Sequence, residues 1–180
     1  MRNLWKSVLG LWVIGMGLGV SAPAQAASAN GPYYATPSWD QKLDANTRFV
    51  VLLNWNSEAV LDRETGLVWE QSPSTSTFIW ETAQFHCNNR STGGRLGWQL
   101  PTVQQLASLV DPNVSPGPTL PSGHPFPTVQ SSFYWSATTF ASDSSFALGV
   151  LFSAVGVFFD VKTTPYFAWC VRGGQGVDAQ

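Results

Sequence analysis

The first clear pattern of apolar positions lies near residue 49 and predicts strands. Residues 49–53 are rich in β-branched and apolar side chains, which favours a strand. Two more apolar segments, residues 59–61 and 67–69, flank residues 62–66, which end in a glycine. Because glycine readily adopts the positive φ angles of tight connections, this pattern predicts a β-hairpin with a five-residue connection.

The next two apolar patterns have a helical period. The first helix is expected to begin at an N-cap, Thr77, and to run to about Asn88. Its apolar face carries Ile79, Ala83 and Cys87. The second helix follows Thr102, which together with Gln105 fits a capping box. Its face continues through Leu106, Leu109 and Val110, and it is expected to end before Pro112.

The sequence pattern of the remaining third of the chain predicts a loop followed by strands. Residues 112–127 contain six prolines and two glycines, which predicts a long loop without regular structure. Four strands are then expected, over residues 133–139, 146–152, 155–161 and 166–172. Consecutive apolar positions such as residues 157–159 predict a sheet with both faces at least partly covered. Hairpin, two helices, long loop and antiparallel meander together predict an α+β fold.

The N-terminus has the pattern of an export signal. Arg2 and Lys6 precede an apolar stretch over residues 8–20, and small residues at Ala24 and Ala26 suit signal peptidase. A membrane-spanning helix needs about 20 apolar residues, so an uncleaved anchor is the weaker alternative. The predicted division is a signal peptide at 1–26, an extended polar leader at 27–48, a domain at 49–174 and a tail at 175–180. The mature protein is expected to be secreted or periplasmic, without stable membrane insertion.

Composition narrows the functional classes. Charged residues make up 11% of the chain, against about 25% in an average globular protein. A hydrophobic fraction of 44% with nine tryptophans excludes a disordered chain. The formal net charge of −2, with no cluster of Lys or Arg, argues against a nucleic-acid partner.

The two cysteines, Cys87 and Cys170, favour a disulfide, because an even pair in an exported chain is usually joined. The alternative is a Cys87 nucleophile assisted by His86. Adjacent residues on a helix point about 100° apart, so the sequence does not place the imidazole on the sulfur. A disulfide would leave no reactive thiol, and no other catalytic motif is present, so we expect no enzymatic activity.

No metal or other cofactor is expected. His86 and His124 are the only histidines, and three protein ligands are the usual minimum for a catalytic zinc site. Asn54, Asn56 and Glu58 alternate and could share one strand face as calcium ligands. A solvated outer face of a strand explains that alternation more simply.

The seven tryptophans that follow the predicted signal peptide divide into two groups. Four of them, Trp69, Trp80, Trp98 and Trp135, lie beside apolar residues and are expected in the core. Trp39, Trp55 and Trp169 are the candidates for a surface role. The candidate binding residues are therefore Trp55, Trp169, and His124 and Asn113 of the proline-rich loop, because variable loops on rigid scaffolds often carry function.

Five spaced motifs occur in an order that resembles one family. They are residues 62–69 (DRETGLVW), 80–87 (WETAQFHC), 98–102 (WQLPT), 134–138 (YWSAT) and 169–173 (WCVRG). Together they resemble the Lcl C-terminal domain family, which is grouped with C-type lectin-like folds. The resemblance implies two helices on a twisted antiparallel sheet, paired N- and C-terminal strands, and a disulfide from the first helix to the last strand.

The resemblance also bears on function. It implies an exported, non-catalytic lectin-like binding domain of the bacterial envelope, with a glycan or an envelope protein as ligand. The sulfated glycosaminoglycans associated with the family's named member would need a cationic surface, which this chain lacks, so that ligand is not carried over. The alternatives are a structural or oligomerising envelope subunit and, less favoured, an enzyme related to formylglycine-generating domains.

Overall fold

A computed structural model describes residues 43–173. Within that range the chain forms three short α-helices, two 3₁₀ helices and nine strands in two sheets, which confirms the α+β class. The predicted signal peptide, most of the predicted leader and the predicted tail lie outside the described residues. None of the helices between residues 43 and 173 is long and apolar enough to cross a membrane.

The first sheet has the order β1-β2-β3-β9 and is antiparallel throughout. Its strands are β1 (Phe49–Val51), β2 (Ala59–Asp62), β3 (Leu67–Glu70) and β9 (Val171–Arg172). The predicted hairpin is confirmed as β2 and β3, with Gly66 at φ 70° in the connection. Asp62 belongs to β2 and pairs with Leu67, so the connection is one residue shorter than predicted.

The second sheet has the order β4-β8-β5-β6-β7. Its strands are β4 (Thr77–Phe78), β5 (Phe133–Thr139), β6 (Phe146–Leu151), β7 (Val157–Val161) and β8 (Tyr166–Phe167). The pairs are antiparallel except β5 with β8, which is parallel. The predicted β5 has the observed bounds, and β6 and β7 are each slightly shorter than predicted.

The prediction of one strand over residues 166–172 is wrong. The segment divides into β8 in the second sheet and β9 in the first. Between them Ala168, Trp169 and Cys170 are fully buried and belong to two different hydrophobic clusters. Trp169 packs in one cluster, whereas Ala168 and Cys170 pack in the other. The chain therefore leaves the second sheet after β8 and joins the first sheet at β9.

The two predicted helices are present with corrected bounds. The first is α2 (Trp80–Asn88), not a helix from Thr77, because the backbone of Thr77 pairs with Phe167 as part of β4. The second is α3 (Val103–Ala107), where the capping box between Thr102 and Gln105 is confirmed. It ends before the predicted limit, although Leu109 beyond it is still fully buried.

The predicted extended leader is wrong at its end, where α1 (Ala45–Arg48) forms. Arg48 is fully buried: its Nη2 lies 2.8 Å from Asp62 Oδ2 and also donates to the Ser108 carbonyl at 2.8 Å. Glu64 adds a second carboxylate, 3.2 Å from Arg48 Nη1. A buried charge needs such partners, so α1 is part of the packed domain.

The core consists of two clusters. The first surrounds Trp69, Leu106 and Trp169, and the second surrounds the sulfur atoms, Trp98 and Trp135. Core placement is confirmed for Trp69, Trp98 and Trp135, whereas Trp80 is half-buried with Lys162 Nζ 3.8 Å above its ring. Between α3 and β5 the described chain has no helix or strand, yet Leu120 and Phe126 of this segment belong to the first cluster.

At residues 157–159 both faces of the sheet are partly covered, as predicted, but about half of each side chain stays exposed. Val157, Phe158 and Phe159 are 49%, 50% and 53% exposed. They lie on β7, which pairs with β6 alone among the described strands and forms the edge of the second sheet. Consecutive apolar residues are buried only where another element covers them.

Candidate functional site

A disulfide joins Cys87, near the end of α2, to Cys170, just before β9. Their Cα atoms are 5.3 Å apart, and both residues are fully buried. The predicted pairing is therefore confirmed, and both cysteines of the chain are in this bond. It holds the end of α2 against the segment that enters the first sheet.

Beside this bond lies a cleft of about 590 Å³, which we call the polar cleft. All nine described residues that line it are polar or charged: Asn56, Ser57, Glu58, Glu70, Gln71, Ser72, Arg90, Ser91 and Thr92. They come from three segments, one before β2, one at the end of β3 and one after α2. The hairpin register and the disulfide bring these segments together.

Glu70 forms the base of the polar cleft and is only 1% exposed. Its Oε1 accepts from Arg90 Nε at 2.5 Å and from Thr92 Oγ1 at 2.9 Å. Its Oε2 accepts from the Cys170 N–H at 3.3 Å. One buried carboxylate thus fixes the segment after α2 and the cysteine of the last segment, which gives the cleft a rigid base.

Glu58 forms one rim of the cleft. Its Oε2 accepts from the N–H of Gly93 at 2.6 Å and so links the segment before β2 to the segment after α2. Just before it, Asn56 and Ser57 have φ angles of 55° and 58°, in the left-handed region that few non-glycine residues adopt. The chain therefore turns sharply at this rim.

This turn corrects the prediction that Asn54, Asn56 and Glu58 alternate along one strand face. Residues Leu53–Trp55 form a 3₁₀ helix, so the three polar side chains have no common strand. Asn56 and Glu58 line the cleft, whereas Asn54 is exposed elsewhere. In residues 43–173 no group of three or more His, Cys, Asp or Glu residues could hold a metal ion.

His86 lies behind the base of the cleft, one residue before the disulfide. Its ring stacks on Phe78 with the centroids 4.4 Å apart. Burial lowers the pKa of His86 below its ordinary value, Arg90 lowers it further, and Glu70 opposes the shift. The neutral imidazole is therefore favoured next to the Arg90 guanidinium.

The chemistry of the polar cleft is that of a hydrogen-bonding site with little net charge. Its carboxylates, Glu58 and Glu70, are offset by one guanidinium, that of Arg90. Hydroxyl and amide groups supply the other donors and acceptors along its wall. Such a surface matches the hydroxyl groups of a carbohydrate better than it matches an apolar molecule or a polyanion.

Two of the predicted binding residues are buried, so their surface role is wrong. Trp169 is fully buried, with ring centroids 5.5 Å from Trp69 and 4.8 Å from Phe126. Trp55 is 6% exposed and packs edge-on against Trp98. Burial of these large aromatic rings stabilises the core, because it removes a large apolar surface from water.

The other two predicted residues, His124 and Asn113, lie away from the polar cleft. His124 is half-buried, its Nδ1 accepts from the Phe126 N–H at 3.2 Å, and burial lowers its pKa. Asn113 is exposed, and its backbone and side-chain N–H groups both donate to Asp111 Oδ1. None of the four predicted residues lines the cleft.

Of the residues that line the cleft, the sequence analysis had considered Asn56 and Glu58, as calcium ligands on a strand, and none of the others. A usable signal was present: Glu70 follows Trp69, and Arg90 follows the Cys87 helix by two residues. A disulfide between Cys87 and Cys170 requires the chain after that helix to lie beside the last strand. The polar side chains in that position are then candidates for a shared site.

The model of the family described as Lcl C-terminal domain matches residues 58–172. The matched range begins at a rim residue of the polar cleft and ends with β9, so it includes both cysteines and most of the cleft. No curated protein matches this chain significantly.

Proposed function

The chain belongs to the Lcl C-terminal domain family, and we propose that it is an exported, non-catalytic binding domain of the bacterial envelope with a C-type lectin-like fold. Its ligand is a neutral, hydroxyl-rich glycan held in the polar cleft. The observation that carries this proposal is the cleft itself: a concavity lined by polar and charged residues beside the disulfide.

The topology supports the lectin-like fold. The N-terminal hairpin shares a sheet with the last strand, β9, so both ends of the domain meet in one layer. A disulfide then ties α2 to the residue before that strand. Both features are those that the family resemblance implies.

The disulfide also supports export, because such bonds persist mainly in oxidising compartments. A secreted or periplasmic location follows if the predicted signal peptide at residues 1–26 is cleaved. Sequencing the N-terminus of the exported protein tests this location, with Ala27 expected as the first residue.

A role without catalysis is supported by the state of the thiols. Cys87 and Cys170 are bonded to each other, so neither supplies the thiolate that formylglycine-type chemistry needs. Glu70 is engaged with Arg90, Thr92 and the Cys170 N–H, which suits a structural carboxylate. Its contribution is to hold the cleft walls.

A glycan fits the cleft by size and by chemistry. Ligand sites usually have volumes of about 300–1,000 Å³, and the polar cleft falls in that range. Carbohydrate hydroxyl groups both donate and accept, as do the Ser, Thr, Asn and Gln side chains of the cleft wall. An envelope protein is the alternative ligand, and a pull-down of the exported protein tests it.

The test is a glycan array with the natively exported protein, with and without calcium. We expect calcium-independent binding that falls at least about tenfold in Ser72→Trp, because an exposed serine of the cleft wall becomes a bulky ring that fills it. Ser142→Trp, the same change in an exposed turn outside the cleft, should bind normally. Unchanged binding by Ser72→Trp together with loss in His124→Ala would move the site to the 112–127 segment and overturn the proposal.

A further inference from the structure

The outer edge of β7 is an exposed apolar surface of the described domain. Val157 and Phe159 project to one face of the sheet, and Phe158 projects to the other, because side chains alternate along a strand. All three are about half exposed. Edge strands usually carry charges, prolines or bulges that discourage pairing, and these three positions carry none.

The backbone of β7 shows which hydrogen-bonding groups point outward. Gly156 O accepts from Leu151 N, and Lys162 N donates to Ser145 O. The backbone N–H and C=O groups of the even-numbered residues of β7 therefore point toward β6. In an antiparallel ladder the direction alternates, which turns the groups of residues 157, 159 and 161 away from the sheet.

One of those three residues is already satisfied within the domain. The N–H of Val161 donates to Asp160 Oδ1 at 2.6 Å, and its carbonyl accepts from Thr164 N at 2.9 Å. Among the described residues, the outward N–H and C=O groups of Val157 and Phe159 remain for a further strand. The outward backbone groups of the edge are therefore already bonded at Val161 but available for pairing at Val157 and Phe159.

We propose that two copies of this domain associate through antiparallel pairing of their β7 strands, with the two-fold axis at Phe158. In this register Val157 lies opposite the second copy's Phe159, and Phe159 lies opposite the second copy's Val157. Each open N–H then meets an open C=O. Phe158 faces its own counterpart at a non-hydrogen-bonded position, where side chains lie closest and aromatic pairs stabilise a sheet.

A second copy is favoured because the two open positions, Val157 and Phe159, complement each other in this register, whereas the neighbouring registers lose that match. An axis at Val157 would place Phe159 opposite Val155, which lies in a turn. An axis at Phe159 would place Val157 opposite Val161, whose groups are already bonded. With the axis at Phe158, Asp160 lies opposite Gly156, so no like charges meet.

An apolar groove of about 210 Å³ extends this surface. It is lined by residues at the end of α3, by Pro112, by Val150 and by the turn at residues 155–157. A second copy paired along β7 would cover this groove as well as the strand edge. The interface would join the two five-stranded sheets into one, through the same patch on each subunit, as a two-fold dimer requires.

The test is sedimentation of the natively exported protein over a range of concentrations. We expect a monomer–dimer equilibrium that Phe158→Lys weakens at least about tenfold, because two ammonium groups would meet across the axis. Phe85→Lys is the matched control, since Phe85 is exposed on α2 and lies outside the β7 edge. It should leave the equilibrium unchanged.

A second variant tests the backbone pairing separately. Val157→Pro removes an outward N–H while leaving the ladder to β6 intact, and proline is tolerated at such edge positions. It should weaken the dimer while circular dichroism and the melting temperature stay close to those of the wild type. A protein that is monomeric at all concentrations, or a dimer that neither variant weakens, would overturn the proposal. Glycan binding is measured on another surface and does not affect this outcome.

Discussion

The polar cleft and the β7 edge are both exposed, but they are held in place in opposite ways. The cleft joins three segments distant in sequence, and the disulfide and the Glu70 carboxylate fix their positions. The β7 edge belongs to a local meander and is held by its ladder with β6. One surface offers fixed polar groups, and the other offers apolar side chains with open backbone groups.

This difference suits the cleft to specific ligand recognition and the β7 edge to association with another strand. Placed donors and acceptors can distinguish one hydroxyl arrangement from another, because a mismatch leaves a polar group without a partner. An apolar strand edge selects mainly for a matching strand. The cleft should therefore depend on long-range contacts in the domain, whereas the edge should depend on local ones.

The largest effect should come from removing the cross-link. The double variant Cys87→Ala, Cys170→Ala opens a loop with a sequence separation of 83 residues, and the chain-entropy model predicts a loss of about 4–5 kcal/mol. Guanidinium unfolding of the exported variant and of reduced wild-type protein measures it. Glycan binding should fall even under conditions where the sheet signal persists. A loss below about 1 kcal/mol would show that the cleft does not depend on this bond.

An intermediate effect should come from Gly93, at the rim of the cleft. A Cβ at Gly93 would lie 2.8 Å from Trp55 Cβ, whereas a Cβ at Gly94 would have open space around it. Both glycines have similar positive φ angles, 65° and 69°, so Gly94→Ala controls for backbone strain. We expect Gly93→Ala to be about 1–3 kcal/mol less stable than Gly94→Ala and to bind glycan more weakly, with dimerisation unchanged. Equal stabilities of the two variants would contradict this packing.

The smallest effect should be a pH dependence confined to the cleft. Burial and Arg90 lower the pKa of His86, so the unfolded chain takes up its proton at a higher pH than the folded one. This contribution to stability is complete above about pH 6.5 and is lost as the pH falls toward the lower folded pKa. His86→Phe should flatten the fall in stability and in glycan binding between pH 7 and 5. His124→Phe should alter only the stability, and an identical binding profile in His86→Phe and wild type would contradict the role of His86.

The parts of the fold that were predictable depend on local signals. The hairpin follows from two apolar segments around a glycine, and the start of α3 follows from Thr102 and Gln105. The bounds of β5 follow from its apolar run. The disulfide required only the count of cysteines and the predicted compartment. Each of these signals lies within a few residues or concerns a single pair.

The parts that were not predictable depend on what covers each segment. Residues 157–159 and residues 168–170 are both apolar runs, yet the first lies on an open edge and the second is buried between two sheets. Trp55 and Trp169 are buried against Trp98 and Phe126, aromatic rings that lie far from them in the sequence. The cleft likewise exists only after three distant segments meet.

The division of residues 166–172 between the two sheets has a consequence for biosynthesis. This short segment, late in the described part of the chain, contains β8, which pairs with β4, and β9, the outer strand beside β3. It also contains one half of the cross-link. A polypeptide threaded from its N-terminus through a translocation pore can form hairpins early, but it cannot complete either layer until these residues emerge. If the protein is exported, as we propose, final folding waits until almost the whole domain has arrived on the far side.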